Sequence, residues 1–131
     1  MEDSILIEIL KEMQKKYQCV VEIERLTGDI GESLSRNDRT TVQMLLGMRQ
    51  EEMDKADLFE KNINYFVTAL PPRESALVKS WIKGLEDKET DSEITDKIVK
   101  KGKSIQLILK RTIEIDKHIS MRMAGTHSFY H

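Results

Sequence analysis

Glu114 and His118 have the spacing in this chain that best suits metal binding, because residues four apart share one face of a helix. Helical di-iron proteins instead pair glutamate with histidine three positions apart on two helices and add glutamates from two more. The chain has one such pair with the wrong spacing, so we expect an exposed pair and no metal or other cofactor. The other two histidines, His127 and His131, fall in the C-terminal tail, where surface positions are expected.

Cys19, the single cysteine of the sequence, is the second candidate for chemistry. Lys15 and Lys16 lie one helical turn away and would lower the pKa of its thiol, as a nucleophile requires. No histidine is near it in sequence and its seam is aliphatic, so a small packing residue is the preferred interpretation. The sequence contains no glycine-rich phosphate loop, serine elbow or metalloprotease motif. We therefore predict that the protein is not an enzyme.

A cluster of four lysines between positions 97 and 103 could contact phosphate or acidic lipid. Five acidic residues between positions 87 and 96 precede the cluster and would cancel part of its field. The net charge of −2 also argues against a dedicated nucleic-acid binder. We interpret the cluster as a solvated helix face and expect no nucleic acid as a partner.

The composition favours one domain built from long helices. Of the 131 residues, 34% are charged and only 5% are aromatic, which suits solvated helix faces better than a sheet sandwich. A lone cysteine cannot form an internal disulfide, which favours a reducing compartment. The acidic N-terminus alternates apolar with charged residues and predicts neither a signal peptide nor a membrane span. We expect a soluble, cytoplasmic protein that does not insert into membranes.

Hydrophobic residues at helical spacing predict three long helices. The first covers about residues 3–34, with two glycines weakening its last turns. A turn at residues 35–38 follows, in which Asn37 or Asp38 accepts N–H groups of the next helix. The second helix covers about residues 39–69. Its expected buried residues are Val42, Leu45, Leu46, Met53, Ala56, Phe59, Ile63, Phe66 and Leu70.

Pro71-Pro72 ends the second helix, and the second proline opens a short helix near residues 73–85. The apolar side expected for this short helix comprises Leu77, Trp81, Ile82 and Leu85. A capping box over residues 90–93, beginning at Thr90, opens the last helix, which ends near Ala124 with Gly125 as its left-handed cap. The seam of the last helix is Ile94, Ile98, Ile105, Ile108, Ile115 and Ile119.

Polar residues interrupt these apolar seams at Lys16 and Thr27 in the first helix, at Arg49 in the second and at Lys101 in the last. The stem of Arg49 is expected to pack while its guanidinium reaches solvent or a carboxylate. Alternatively, Arg49 lies at the rim of a binding groove. Lys101 either extends along its own stem to water or marks a place where the seam faces water.

Rods of this length bury their apolar seams by lying side by side. Helices of about 26 to 32 residues span roughly 40 to 48 Å. We predict an all-α fold, an elongated antiparallel bundle of three long helices with one short extra helix. Residues 1–131 would form a single helical-bundle domain, with 125–131 as a mobile tail.

The last helix carries more apolar residues than one seam requires. The additional residues are Val99, Leu107, Leu109, Ile113, Met121 and Met123. A long exposed apolar band usually marks a protein interface, and methionine adapts to varied partner shapes. Three interpretations stay open: a partner-binding groove, a homodimer interface, and full internal burial, for which the short helix would be a covering element.

Several segments resemble the FlgN-type flagellar type III export chaperones. The turn at residues 33–38, followed by 42–46 and 49–53, is similar to that family's joint between its first two long helices. Residues 106–113 and the tail from 125 to 130 are similar to its last helix and tyrosine-containing end. The related FliT-like chaperones share a helical-hairpin plan and are the near alternative.

This resemblance implies a cytoplasmic chaperone that binds C-terminal amphipathic helices of hook–filament junction proteins and delivers them to the export gate. It also implies a role for Tyr130 as a contact for the export apparatus. The alternative function is a homodimerising structural or regulatory helical domain. The partner-binding residues implied by the resemblance are Ile105, Ile108, Leu109, Thr112, Ile115, Ile119 and Met123.

Overall fold

Four α-helices make up most of the ranges that the computed structural model describes, residues 3–85 and 92–124, with side chains described as far as Arg122. The helices are α1 (Asp3–Ser35), α2 (Arg39–Thr68), α3 (Pro72–Ile82) and α4 (Glu93–Ala124). These ranges contain no strand, so the all-α fold of three long helices and one short helix is confirmed. None of the four described helices is both long and apolar enough to cross a membrane.

The turn between α1 and α2 uses both residues that the sequence singles out. Asn37 has a φ of 55°, the left-handed conformation that asparagine tolerates better than most residues. The N–H of Asp38 donates to the carbonyl of Ser33 over 2.9 Å, which completes the cap of α1. The Asp38 carboxylate in turn accepts from the N–H of Thr41 at 3.1 Å and caps α2. The prediction of an α2 cap here is therefore confirmed, with Asp38 as the capping residue.

The short helix α3 begins at Pro72, where the missing N–H of proline is harmless. It ends three residues earlier than expected because Gly84, with a φ of 73°, forms a left-handed cap. The N–H of Gly84 donates to the carbonyl of Trp81 at 2.8 Å, and the N–H of Leu85 donates to that of Ser80 at 3.3 Å. These two hydrogen bonds together form a Schellman cap.

The last helix begins at Glu93, in the neighbourhood that the sequence indicates. The N–H of Ser92 donates to the Thr95 hydroxyl at 3.1 Å, while the N–H of Thr95 donates to the Ser92 hydroxyl at 3.3 Å. These reciprocal bonds satisfy N–H groups at the start of α4. The two other predicted caps, Thr90 and Gly125, lie outside the described residues.

Helices α1 and α2 run antiparallel. The amino group of Lys16 donates to the carboxylate of Glu60 over 2.7 Å, and Arg49 donates to the hydroxyl of Thr27 over 3.1 Å. As residue numbers increase along α1, the numbers of the partner residues on α2 decrease. This is expected for consecutive long helices joined by a tight turn.

Helices α1 and α4 instead run parallel. The amino group of Lys101 lies 4.1 Å from the centre of the Tyr17 ring, and Arg111 donates to the Glu24 carboxylate at 2.9 Å. Pairing positions on the two helices thus increase together. Consequently α4 starts at the same end of the bundle as α1, and α2 is antiparallel to both.

Helix α1 is the central helix of the bundle, with α2 and α4 packed against it. No Cα atom of α2 comes within 8 Å of one of α4, so these two helices are not direct neighbours. Helix α3 contacts both and lies between them at one end. Its buried residues are Val78 and Trp81, whereas Leu77 and Leu85 are exposed. The predicted apolar side of α3 is therefore wrong for Leu77, because Val78 takes the inner position, and for Leu85, because α3 ends at Ile82.

The largest apolar cluster lies at the α3 end and unites residues from all four helices. Its central members are Leu6, Ile9, Met13, Ile63, Val67, Val78, Trp81 and Ile98. Two smaller clusters follow along α1, one against α4 and one against the start of α2. Packing is thus densest where α3 covers α1.

Candidate functional site

The predicted partner-binding residues of α4 do not form an exposed strip. Ile105, Ile108, Thr112 and Ile119 are buried within the single chain. Ile105 and Ile108 pack against Val20, because the isoleucine seam is the surface that α4 uses to contact α1. For these four residues the structure agrees with internal burial, the third of the three interpretations. Their role in partner binding stays a prediction.

The remaining predicted contacts are distributed differently. Leu109 and Ile115 are half-buried. Met123 lies beyond the last described side chain, and Tyr130 lies outside the described residues. Of the additional apolar residues on α4, Leu107 and Ile113 are each 55% exposed. They are six positions apart, which places them on different sides of the helix.

An apolar groove runs between α2 and α4 with α1 as its floor. Its volume is about 330 Å³. The hydroxyl of Thr112, which also lines it, donates to the carbonyl of Ile108 at 2.8 Å, so this polar group is already satisfied. The apolar lining consists of Val20 and Ile23 from α1, Met53 and Ala56 from α2, and Leu109 and Ile113 from α4. We call this cavity and its continuation below the α2/α4 groove.

A second cavity of about 280 Å³ continues the groove towards α3. It is lined by Met13 of α1, Ile63 of α2, Ile82 of α3 and Ile105 of α4. The two cavities have Lys16 and Glu60 in common, so they lie next to each other on either side of this pair. Ile105, although nearly inaccessible itself, contributes to its wall.

The ion pair between Lys16 and Glu60 crosses the middle of the groove. Their charged atoms are 2.7 Å apart, and both side chains retain partial contact with solvent. A pair at this depth contributes little to stability. The pair does neutralise Lys16, one of the predicted polar interruptions of the α1 seam, so the groove has no unpaired charge at this position.

Arg49 crosses from α2 to α4 at the far end of the groove. Its guanidinium donates to the carboxylate of Asp116 at 3.0 Å and to the hydroxyl of Thr27 at 3.1 Å. Thr27 can accept because its own hydroxyl proton goes to the carbonyl of Ile23 at 2.7 Å. Arg49 is only 8% exposed, so the prediction of a packed stem with its guanidinium on a carboxylate is confirmed. We call this contact with Asp116 the Arg49 bridge.

The residues of α1 that mark the two limits of the groove give its length. Met13 lies beside α3, and Thr27 lies beneath the Arg49 bridge. The rise of an α-helix gives about 21 Å between these positions. A helix of about 14 residues, or four turns, matches that length.

The thiol of Cys19 is buried on a different side of α1, between α1 and α2. Burial raises its pKa, and a hydrogen bond with Glu52 adds to the rise. The expectation that Lys15 and Lys16 lower this pKa is therefore wrong, because neither lysine offsets the loss of hydration. The protonated thiol behaves as a small packing group.

The other candidates for chemistry are separated in space. Glu114 and His118 are both exposed on α4. Among the described residues, no three His, Cys, Asp or Glu side chains are grouped so that they could hold a metal ion. The remaining histidines, His127 and His131, lie outside those residues. The amino group of Lys101 lies over the Tyr17 ring, a contact that neither predicted alternative for Lys101 includes.

Periodicity places Met53 and Ala56 on the inner seam of α2 without revealing that they face an open groove. The surplus of apolar residues on α4, among them Leu109 and Ile113, is the signal in the sequence that points towards the groove. The site is thus a place for binding through shape and apolar surface.

Compared with known proteins, the chain matches no family model, no curated protein and no solved structure.

Proposed function

We propose that this chain is a non-enzymatic helix-binding protein that receives an amphipathic helix of a protein partner in the α2/α4 groove. The observation that carries the proposal is the separation of α2 from α4, which leaves an apolar groove above α1 that none of the described helices fills beyond α3. In the cell, the protein would act as a cytoplasmic chaperone for flagellar type III export. Its partners would be the C-terminal helices of hook–filament junction proteins, which it would deliver to the export gate.

Helix α3 supplies a precedent for what the groove accepts. Val78 and Trp81, three positions apart, insert between α2 and α4 and join the largest apolar cluster. This is the anchor spacing by which amphipathic helices bind hydrophobic grooves. Beyond Ile82 the groove continues with apolar floor and walls, so a second helix would meet the same chemistry.

The rim of the groove supports binding to partners of varied shape. Met53 on one wall and Leu109 on the other are half-buried, and Ile113 is largely exposed. A docked helix would remove apolar area of these side chains from water, which favours association. The unbranched side chain of Met53 can adjust to different ring or aliphatic groups.

The chaperone role has a physical logic of its own. An unassembled partner exposes an amphipathic helix that would otherwise aggregate through its apolar face. A groove about four turns long covers such a face. The flagellar identity of the partner is supported by the sequence resemblance of residues 33–53 and 106–113, and the groove supports the binding mode.

The test uses the full chain and synthetic peptides from the C-terminal helices of hook–filament junction proteins, with binding measured by calorimetry. Ile113→Asp is expected to weaken binding by roughly tenfold or more, because it places a charge in the groove. Leu107→Asp is the matched control, since Leu107 is equally exposed on α4 but does not line the groove. Both variants should retain the thermal stability of the original protein.

Equal affinities for the two variants would contradict a docking site in the groove. If the peptides bind neither the original protein nor the variants, the helix-binding function as a whole is contradicted. Light scattering distinguishes helix binding from the alternative function. A stable dimer that binds none of the peptides would indicate a homodimerising domain.

A further inference from the structure

We infer that the partner helix lies parallel to α1 and α4, with acidic residues in its first turns beside α3 and basic residues in its last turns beside the Arg49 bridge. This inference rests on the proposed function and adds the charge pattern and direction of the occupant. It follows from an uneven distribution of charge along the groove.

The end of the groove beside α3 is basic. Its charged lining consists of three lysines, Lys16, Lys79 and Lys83, against the single carboxylate of Glu60. Because Lys16 is paired with Glu60, the charges that remain for a partner are those of Lys79 and Lys83. Neither of these two forms an ion pair with another described residue. Both side chains are exposed and lie in the last turn of α3 or just after it.

The opposite end is acidic. Three carboxylates, those of Asp57, Glu60 and Asp116, face one lysine, Lys16. Glu60 is paired with that lysine and Asp116 with Arg49. Asp57 is exposed on α2 and has no ion pair within the described part of the chain. Asp116 also retains solvent contact, so it can accept a second donor beside Arg49.

Two arrangements would match this gradient: a helix with acidic first turns lying parallel to α1, or one with basic first turns lying antiparallel. The helix dipole favours the first, because carboxylates are stabilised near a helix N-terminus and cations near a C-terminus. In addition, the C-terminal turn of α3, at the negative end of its dipole, borders the groove through Lys79, Ile82 and Lys83. The positive N-terminal end of a partner would face it in the parallel arrangement.

The probes are two designed amphipathic peptides of about 14 residues with the same apolar face and the same composition. One carries glutamates in its first two turns and lysines in its last two, and the other carries them in the reverse order. Fluorescence anisotropy with the full chain is expected to give about fivefold tighter binding of the acidic-first peptide at low salt. The difference should shrink as ionic strength rises from about 0.05 M to about 0.5 M.

The double variant Lys79→Glu with Lys83→Glu is expected to abolish or invert this preference. The matched control is Lys61→Glu with Lys110→Glu, which changes the net charge equally at exposed positions that do not line the groove. A photoreactive group on the first residue of the acidic-first peptide should crosslink to residues 79–83. The same group on the last residue should crosslink near positions 57 and 116.

Equal binding of both peptides to the original protein would overturn the inferred charge pattern while leaving the groove as a helix-binding site. Preference for the basic-first peptide, or the opposite crosslinks, would overturn the parallel direction. Absence of binding by either peptide would overturn the proposed function and this inference together.

Discussion

The two ends of the groove solve the same packing problem in different ways. Beside α3, a fourth helix covers the inner seam of α1, and Trp81 is only 1% exposed there. At the other end none of the described helices takes the place of α3, and the Arg49 bridge spans α2 and α4 above Thr27. An apolar seam on one helix can therefore be covered by another helix or by a bridging polar side chain. The α2/α4 groove lies between these two ends.

The largest effect is expected in the half that α3 covers. Trp81→Ala should lower the free energy of unfolding by about 3 to 5 kcal/mol, because it empties a large space at the centre of the four-helix cluster. Ile113→Ala, in the open half, should lower it by less than about 1 kcal/mol. Urea unfolding monitored by circular dichroism measures both. Similar losses for the two variants would mean that the halves do not differ in packing as described.

The contact of α3 with α4 gives the next largest effect. Gly102 lies so close to the end of α3 that a methyl group there would collide with the carbonyl oxygens of Trp81 and Ile82. Gly102→Ala should therefore lower the free energy of unfolding by about 1 to 3 kcal/mol. Gly47→Ala is the control, because Gly47 is also helical but has open space around it.

Gly47→Ala should instead raise the free energy of unfolding by about 0.5 to 1 kcal/mol, since alanine is a better helix former than glycine. Thermal denaturation of the two variants measures both shifts. A stabilising effect of Gly102→Ala would show that α3 does not hold the described position against α4.

A smaller effect is expected at the Arg49 bridge. Arg49→Met keeps most of the packed stem but removes the donors to Thr27 and Asp116, and should lower the free energy of unfolding by about 1 to 3 kcal/mol. Arg111→Met is the matched control, because the Arg111 pair with Glu24 is largely exposed and should contribute less than about 1 kcal/mol.

Combining Arg49→Met with Asp116→Asn in a double-mutant cycle isolates the coupling between these two side chains. A coupling energy no larger than that between Arg111 and Glu24 would argue that the far end of the groove is not held together by this bridge.

The smallest effect concerns the back of α1. Because burial raises the pKa of the Cys19 thiol, its rate of alkylation by iodoacetamide should keep rising at pH values where an ordinary cysteine thiol is already ionised. A peptide bound in the groove should leave this profile unchanged, since Cys19 does not line the groove. A profile shifted to lower pH would mean that the charges of Lys15 and Lys16 outweigh the effect of burial.

The starts of α2 and α3 could be predicted because local chemistry determines them. Pro72 and Asp38 act on their own turn or helix end, whatever packs above. The inner side of α3 could not be predicted, since Leu77 and Val78 are both apolar neighbours and only the position of α1 decides between them. Likewise, the spacing of Ile108 identifies a seam but not the helix that covers it. Because Ile108 is buried, Ile108→Asp is expected to lower the free energy of unfolding.

The candidate site was harder to predict because it depends on a distance between helices that are far apart in sequence. Met53 and Leu109 belong to regular seams, and nothing in their spacing indicates that α2 and α4 stay apart. Arg49 was a visible exception in its seam, but its partner Asp116 lies 67 positions away. Pairings of this kind depend on the three-dimensional arrangement of the helices and leave no periodic pattern.

Because α2 and α4 both pack against α1 and not against each other, the spacing between them is fixed at one end by α3 and at the other by one arginine. Breaking that single contact would let the two helices splay apart about the α3 end while each keeps its interface with α1. The α2/α4 groove could then widen at the Arg49 end and admit bulkier side chains without any loss of secondary structure. Adjustable width of this kind would suit a protein that must accept more than one client.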